Sequence, residues 1–221
     1  MESALLLGDS RVGKTSIIKQ FCTGTFNSSE QPTIGIECHK KQLGPRPTDG
    51  SGSGNGNGFR LALWEVSGAK RYRQMVPNRV KGCLFVAIVC AADDEQSTKG
   101  LDEWRNLVLS VDANARIVVI LNKMDRTKGA GEETNAEKNV AKWCGENTPL
   151  IKITAFEKFS VEDKILEIVD YSLMLRNGQS ENEVEKKFVT GSEFRRVSQT
   201  TPLLNHDNDS QEGSSCCCTI S

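Results

Sequence analysis

Short apolar runs alternate along this chain with stretches of helical periodicity. The runs Ala4–Leu7, Ile36–Leu43, Phe59–Val66, Cys83–Cys90, Ile117–Leu121 and Leu150–Thr154 predict strands. Helices are predicted over Lys14–Cys22, roughly Lys70–Arg79, Ser97–Asp112, Asn135–Gly145 and Val161–Leu175. In the last of these, Val161, Ile165, Ile168, Val169 and Leu173 fall on one helical face. The runs LFVAIV and IVVIL are apolar on both faces, as in a sheet covered by helices on each side. Such alternation predicts a doubly wound α/β domain, in which ligands bind at the carboxyl ends of the strands. Two stretches break the pattern. Residues 44–58, GPRPTDGSGSGNGNG, are too glycine-rich to pack a core and predict a flexible loop between two antiparallel strands. From Arg176 to Ser221 the chain is polar and aperiodic, which predicts a disordered tail behind a folded domain over residues 1–175.

Composition narrows the class. The chain has 221 residues, enough for one good-sized domain and a tail. A net charge of -1 supplies no long-range field for nucleic acid. No apolar run approaches the roughly 18 residues of a membrane helix, and the first strand begins too early to leave room for a signal peptide. Cys22, Cys38, Cys83, Cys90 and Cys144 are scattered singly and read as small apolar residues, whereas Cys216, Cys217 and Cys218 are consecutive near the end. A reducing, cytosolic setting fits this usage. His39 and His206 lack companions at metal-ligand spacing and read as surface histidines.

The chemistry concentrates first at Gly8-Asp9-Ser10-Arg11-Val12-Gly13-Lys14-Thr15-Ser16. This fits G-x-x-x-x-G-K-[ST], with a strand before it and a helix after it. Gly8 and Gly13 let the backbone bend so that successive N–H groups converge on a phosphate. The start of the following helix adds its positive dipole end. Lys14 can reach the β- and γ-phosphates, and the Thr15 hydroxyl can ligate Mg²⁺. Arg11 is unusual beside phosphates. Its two readings are a positive charge near the γ-phosphate and, favoured, a solvated arginine on the loop's outer side.

The second signal is Asn122-Lys123-Met124-Asp125, directly after IVVIL. A carboxylate here can accept from guanine N1–H and the exocyclic amine, whereas adenine offers no donor at either place. A buried carboxylate left unpaired is costly, so Asp125 discriminates. Asn122 can bond the base and tie this loop to the phosphate loop, and the Lys123 stem can lie along the base.

From Ala4 to about Leu175 the sequence resembles the Ras superfamily of small GTPases, and its Rab branch most closely. Besides these two motifs, the resemblance rests on Phe26 to Cys38, FNSSEQPTIGIEC, which looks like a Rab first switch, and more weakly on Trp104 in DEWRNLV. It implies a phosphate-loop GTPase fold: a mostly parallel six-stranded sheet with one antiparallel edge strand and helices on both faces. It implies GTP/GDP and Mg²⁺ as ligands. Thr33 would ligate the metal and meet the γ-phosphate through its N–H. Phe26 falls where the family places an aromatic beside the guanine; a core aromatic is the other reading. After Thr154, the Ala155 N–H would meet guanine O6, but Phe156 replaces the usual lysine that follows.

The pattern breaks at Trp64-Glu65-Val66-Ser67-Gly68-Ala69-Lys70, where a Rab has W-D-T-A-G-Q-E. Glu65 replaces the aspartate that holds Mg²⁺ through water, which predicts a looser metal site. The Gly68 N–H can still meet the γ-phosphate. Ala69 stands in place of the glutamine that orients the attacking water, and a methyl group can neither donate nor accept. No catalytic side chain is therefore assigned, and slow unassisted GTP hydrolysis is expected. The segment RYRQMVPNRVKG, residues 71–82, lacks the second switch's paired tyrosines, implying an unusual partner set.

The last four residues, Cys218-Thr219-Ile220-Ser221, fit a C-a-a-X prenylation pattern with Ser favouring farnesyl. The resemblance implies instead geranylgeranyl groups on two nearby cysteines. Both end with lipid on Cys218. One chain anchors only marginally, and the tail carries no basic run, so a second lipid on Cys216 or Cys217 is expected. The expectation is a GTP-binding switch on the cytosolic face of a membrane, with a cytosolic pool, implied by resemblance to act in vesicle trafficking. Its implied partners are effectors, an exchange factor, an activating protein and a prenyltransferase. The alternatives are a pseudo-GTPase module that stays GTP-bound and a phosphate-loop kinase or ATPase, against which Asp125 argues.

Overall fold

The computed structural model describes residues 1–45, 58–127, 133–145 and 148–180. Most of the glycine-rich stretch, the tail beyond Ser180 and Cys216, Cys217 and Cys218 lie outside the described residues.

The strands are β1 (Glu2–Leu7), β2 (Ile36–Gln42), β3 (Arg60–Val66), β4 (Phe85–Ala91), β5 (Ile117–Asn122) and β6 (Leu150–Lys152). They form one six-stranded sheet in the order β2-β3-β1-β4-β5-β6. Only β2 and β3 run antiparallel, with Ile36 opposite Val66 and Gln42 opposite Arg60. The helices are α1 (Lys14–Thr23), α2 (Pro77–Val80), α3 (Leu101–Leu109), α4 (Asn135–Cys144) and α5 (Lys158–Arg176).

Strand alternation feeds two cores. Ala4 and Leu6 of β1 and Phe85, Ala87 and Val89 of β4 pack with α1 and α5. Leu5, Leu7, Val86, Ile88 and Cys90 pack on the other face with Trp104 of α3 and Val140 of α4. Successive side chains of a strand point to opposite faces, so strands of this kind must be apolar at every position. Of the isolated cysteines, Cys90 and Cys144 are buried as apolar filler, and burial alone pushes the Cys144 thiol up to about 12.

Two predicted helices are broken. The stretch expected as one helix over Lys70–Arg79 is a 3₁₀ turn, Lys70–Met75, followed by the single turn of α2. Pro77 has no N–H to give to a preceding carbonyl, so it starts a helix rather than continuing one. The helix expected from Ser97 to Asp112 begins instead at Leu101, after a 3₁₀ turn Glu95–Thr98 capped by the Asp94 side chain. The final strand stops at Lys152, and α5 starts three residues earlier than its apolar face does.

Candidate functional site

At the carboxyl ends of β1, β3, β5 and β6 the loops enclose a cavity of about 650 Å³. The phosphate loop forms its floor. Gly13 at the start of α1 has φ of 98°, and an added Cβ would lie 2.2 Å from Asn122 Nδ2. Glycine is therefore needed there both for the turn and for the close approach. Arg11 is exposed, lines the cavity and is held at φ of 68°, a left-handed conformation uncommon for any residue but glycine.

Lys14 is buried, with its Nζ donating to Gly8 O and Asp9 O, each at 2.9 Å. Burial, only partly offset by the Glu65 and Asp9 carboxylates, brings its pKa down to about 8. A cation so destabilised is short of negative charge, and an anion in the cavity would supply it.

Beside Lys14 lies a compact oxygen cluster. Thr15 Oγ1 donates to Glu65 at 2.9 and 3.0 Å, Thr33 Oγ1 donates to Glu65 Oε1 at 2.8 Å, and the two hydroxyls are 3.0 Å apart. Glu65 is fully buried at the second-last position of β3. Its carboxylate accepts from both threonine hydroxyls directly. Two hydroxyls and a carboxylate are hard oxygen donors, the kind that Mg²⁺ takes. The donor set therefore fits that ion.

Asn122 connects the loops. Its Nδ2 donates to Val12 O at 2.9 Å, and its Oδ1 accepts the Ala155 N–H at 3.0 Å. The phosphate loop, the Asn122 loop and the loop after β6 thus close on one buried amide. The Ala155 N–H expected to serve a base is already engaged in this bond. Lys123 turns the loop at φ of 64° and ion-pairs with Asp93 at 3.1 Å, as does Arg126 at 3.2 Å. Asp125 then faces the cavity from a 3₁₀ turn, Met124–Arg126.

The cavity wall gathers Ser10, Arg11 and the run from Gly13 to Ser16 of the predicted phosphate loop. It also takes in Phe26, Thr33, Gly68, and the Asn122, Lys123, Asp125 and Ala155 set. Gly8, Asp9, Val12, Glu65 and Thr154 stand behind it, and Ala69 is outside it. Phe26 is 38% exposed, so the core reading of that residue does not hold.

Three residues gain parts that sequence reasoning did not give them. Trp104 Nε1 donates to Asp9 Oδ1 at 3.0 Å, tying α3 to the phosphate loop. Arg73 lies 4.5 Å over the Trp104 ring and pairs with Asp9 and Glu103, so the turn after Ala69 is held by the same acid. An acidic residue inside a phosphate-binding loop was the available signal, since it needs a partner of its own. Phe156, which departs from the family pattern, stands at the cavity wall.

Gly68 meets the phosphate loop edge-on. An added Cβ would lie 2.2 Å from Ser10 N and 2.3 Å from Asp9 C. We expect Gly68→Ala to force the 67–75 segment away, at a cost of about 1–3 kcal/mol. Thermal unfolding should show a clearly lower midpoint, and an unchanged midpoint would contradict this packing.

Comparison with known proteins follows the same lines. The family model of the Ras of Complex, Roc, domain of DAPkinase matches residues 4–125. Ras-related protein Rab-18 of Lymnaea stagnalis is 27% identical over 221 residues, covering 98% of this chain and 94% of that protein. Ras-related protein Rab7 of Prunus armeniaca is 27% identical over 187 residues, covering 81% and 84%. The Ypt/Rab-type GTPase avaA of Emericella nidulans is 24% identical, covering 98% and 97%. With this sheet order, phosphate loop and set of matches, the chain belongs to the Ras superfamily of small GTPases as a Rab-like member.

Proposed function

We propose that the cavity holds GTP or GDP with Mg²⁺ and that the protein is a Rab-like switch with slow unassisted hydrolysis. The observation that carries this reading is the convergence, through Asn122, of the phosphate loop and the Asp125 loop on the cavity that Thr33 also lines. Backbone N–H groups from Asp9 to Ser16 cradle the phosphates, and the Lys14 ammonium faces the β- and γ-groups. Thr15, Thr33 and Glu65 supply oxygens for Mg²⁺, which would neutralise phosphate charge. Asp125 reads the base edge, Lys123 and Phe26 flank it, and Thr154 supports the Ala155 loop. Ala155 N–H reaches the base only by sharing its bond to Asn122. The Gly68 N–H and Thr33 respond to the γ-phosphate, so that GTP orders both segments and effectors recognise that state.

Residues 1–175 form the GTP-binding domain in this proposal, and residues 176–221 form a tail lipidated at Cys218 and at Cys216 or Cys217. That anchor places the protein on the cytosolic face of a membrane, in vesicle trafficking as the resemblance to Rab proteins implies. An exchange factor, an activating protein and a prenyltransferase are the corresponding partners.

Ala69 favours a second reading, a module that stays GTP-bound because it lacks a water-orienting group. One experiment separates the two: identify the nucleotide carried by protein purified rapidly from its own cell. A mixture dominated by GDP supports a cycling switch, and near-complete GTP supports the permanent module. Adenine nucleotide, or none, would sink both.

A further inference from the structure

β2 is the outermost strand on its side of the described sheet, and directly opposed residues of β2 and β3 share a face. On the face of the opposed pair Cys38 and Trp64, three cations gather. Lys40 is the next residue of β2 on that face, about 7 Å along the strand. Arg60 stands opposite Gln42, one step further. Arg79 reaches over from α2, its guanidinium 4.0 Å from the centre of the Trp64 ring. Lys40 and Arg79 are both close enough to Cys38 for their charges to act on its thiol. All three cations are exposed, and none forms an ion pair among the described residues. The acids of these two strands, Glu37 and Glu65, oppose each other on the other face. Like charges gathered in this way repel, and an acidic group laid over them would relieve that repulsion.

The chain carries a segment of matching charge. Residues 181–185 read ENEVE, which sets the carboxylates of Glu181, Glu183 and Glu185 at alternate positions. The folded part delivers that segment to the corresponding end of the sheet. Arg176, the last residue of α5, pairs with Glu2 at the start of β1. Glu2 is opposite Leu61 of β3, which is opposite Lys41 of β2, so the edge is two strand spacings away, about 10 Å. The five steps from Ser180 to Glu185 extend over roughly 17 Å, before the lengths of the side chains are added. We infer that residues 181–185 dock on the β2–β3 face of their own chain, with their carboxylates against Lys40, Arg60 and Arg79. Each exposed pair is weak and screened by salt. The short tether holds the acids at an effective concentration of about millimolar, so several weak pairs suffice. While docked, the segment closes this face to other acidic partners. The docking does not depend on what fills the cavity.

Carbodiimide coupling of the purified full chain tests this, since it joins only an amine and a carboxylate already in contact. Peptide mass spectrometry of the monomer should find Lys40 joined to Glu181, Glu183 or Glu185. Lys152, 2.9 Å from Glu137, supplies the internal positive control. The double change Arg60→Glu and Arg79→Glu alters exposed side chains only. It should cut the Lys40 product about tenfold and spare the Lys152 product. Sodium chloride at about 1 M should act in the same direction. Changing Glu181, Glu183 and Glu185 together to glutamine leaves the folded domain untouched and should abolish the Lys40 product. Coupling of Lys152 without any coupling of Lys40 would overturn the inference. A Lys40 product confined to dimers would overturn it too, and would assign the face to a second copy. So would a Lys40 product undiminished by the double change.

Discussion

Asp125→Asn is expected to weaken GDP binding on the order of 10²–10⁴-fold and to raise the affinity for xanthosine diphosphate. In the proposed complex the native carboxylate would accept from two donors on the guanine edge. An amide presents one acceptor and one donor, so its NH₂ group would face the exocyclic amine of guanine, donor against donor. Xanthine carries a carbonyl oxygen at that place and would accept instead. The structure makes the effect local. The turn Met124–Arg126 is braced by Lys123 and Arg126, both paired with Asp93, which does not line the cavity. Asn122, which ties the loop to the phosphate loop and to Ala155, is untouched by the change. Competition binding with the two diphosphates measures it. Undiminished GDP affinity in the variant would show that Asp125 does not read the base.

The second large effect concerns hydrolysis. Ala69→Gln should raise the single-turnover rate of GTP cleavage, unassisted, by about ten- to a hundredfold, because placing the nucleophile is most of the catalysis in phosphoryl transfer. The segment is ready for such a side chain. Ala69 is in extended conformation just before the 3₁₀ turn, and Arg73 ties that turn to Asp9 of the phosphate loop and to α3. A glutamine at 69 would therefore start from a backbone already docked beside the phosphate loop. Metal binding should survive, because Glu65, Thr15 and Thr33 are unchanged. If the variant binds GTP and Mg²⁺ as the native chain does, yet cleaves no faster, the missing amide is not what limits the reaction. A native rate equal to that of ordinary Rab proteins would equally refute the slow-hydrolysis proposal.

These two positions also show how unevenly the site was legible. Gly8 to Ser16 and Asn122 to Asp125 are short contiguous motifs, and each sits beside its strand, so local sequence carries both their identity and their place. Phe26 could not be settled in that way. Whether it fills a core or faces a ligand depends on what lies across from it, and the answer is Phe156, distant in sequence. Glu65 reads as a conservative but loosening change when only chain length is considered. In the fold its carboxylate accepts from the hydroxyls of Thr15 and Thr33, contacts that no local pattern shows.

The sequence by itself determined the alternating layers, the G-x-x-x-x-G-K-[ST] loop, the N-K-x-D run and the alanine at position 69. Those follow from periodicity and from chemistry carried within a few consecutive residues. Only the tertiary structure decided that Asn122 staples three loops, that Trp104 and Arg73 share Asp9, and that Thr15, Thr33 and Glu65 converge within 3.0 Å. The physical reason is distance along the chain. Hydrogen bonds and ring contacts between residues dozens of positions apart depend on how the parallel strands bring their carboxyl ends together, and no local pattern records that geometry.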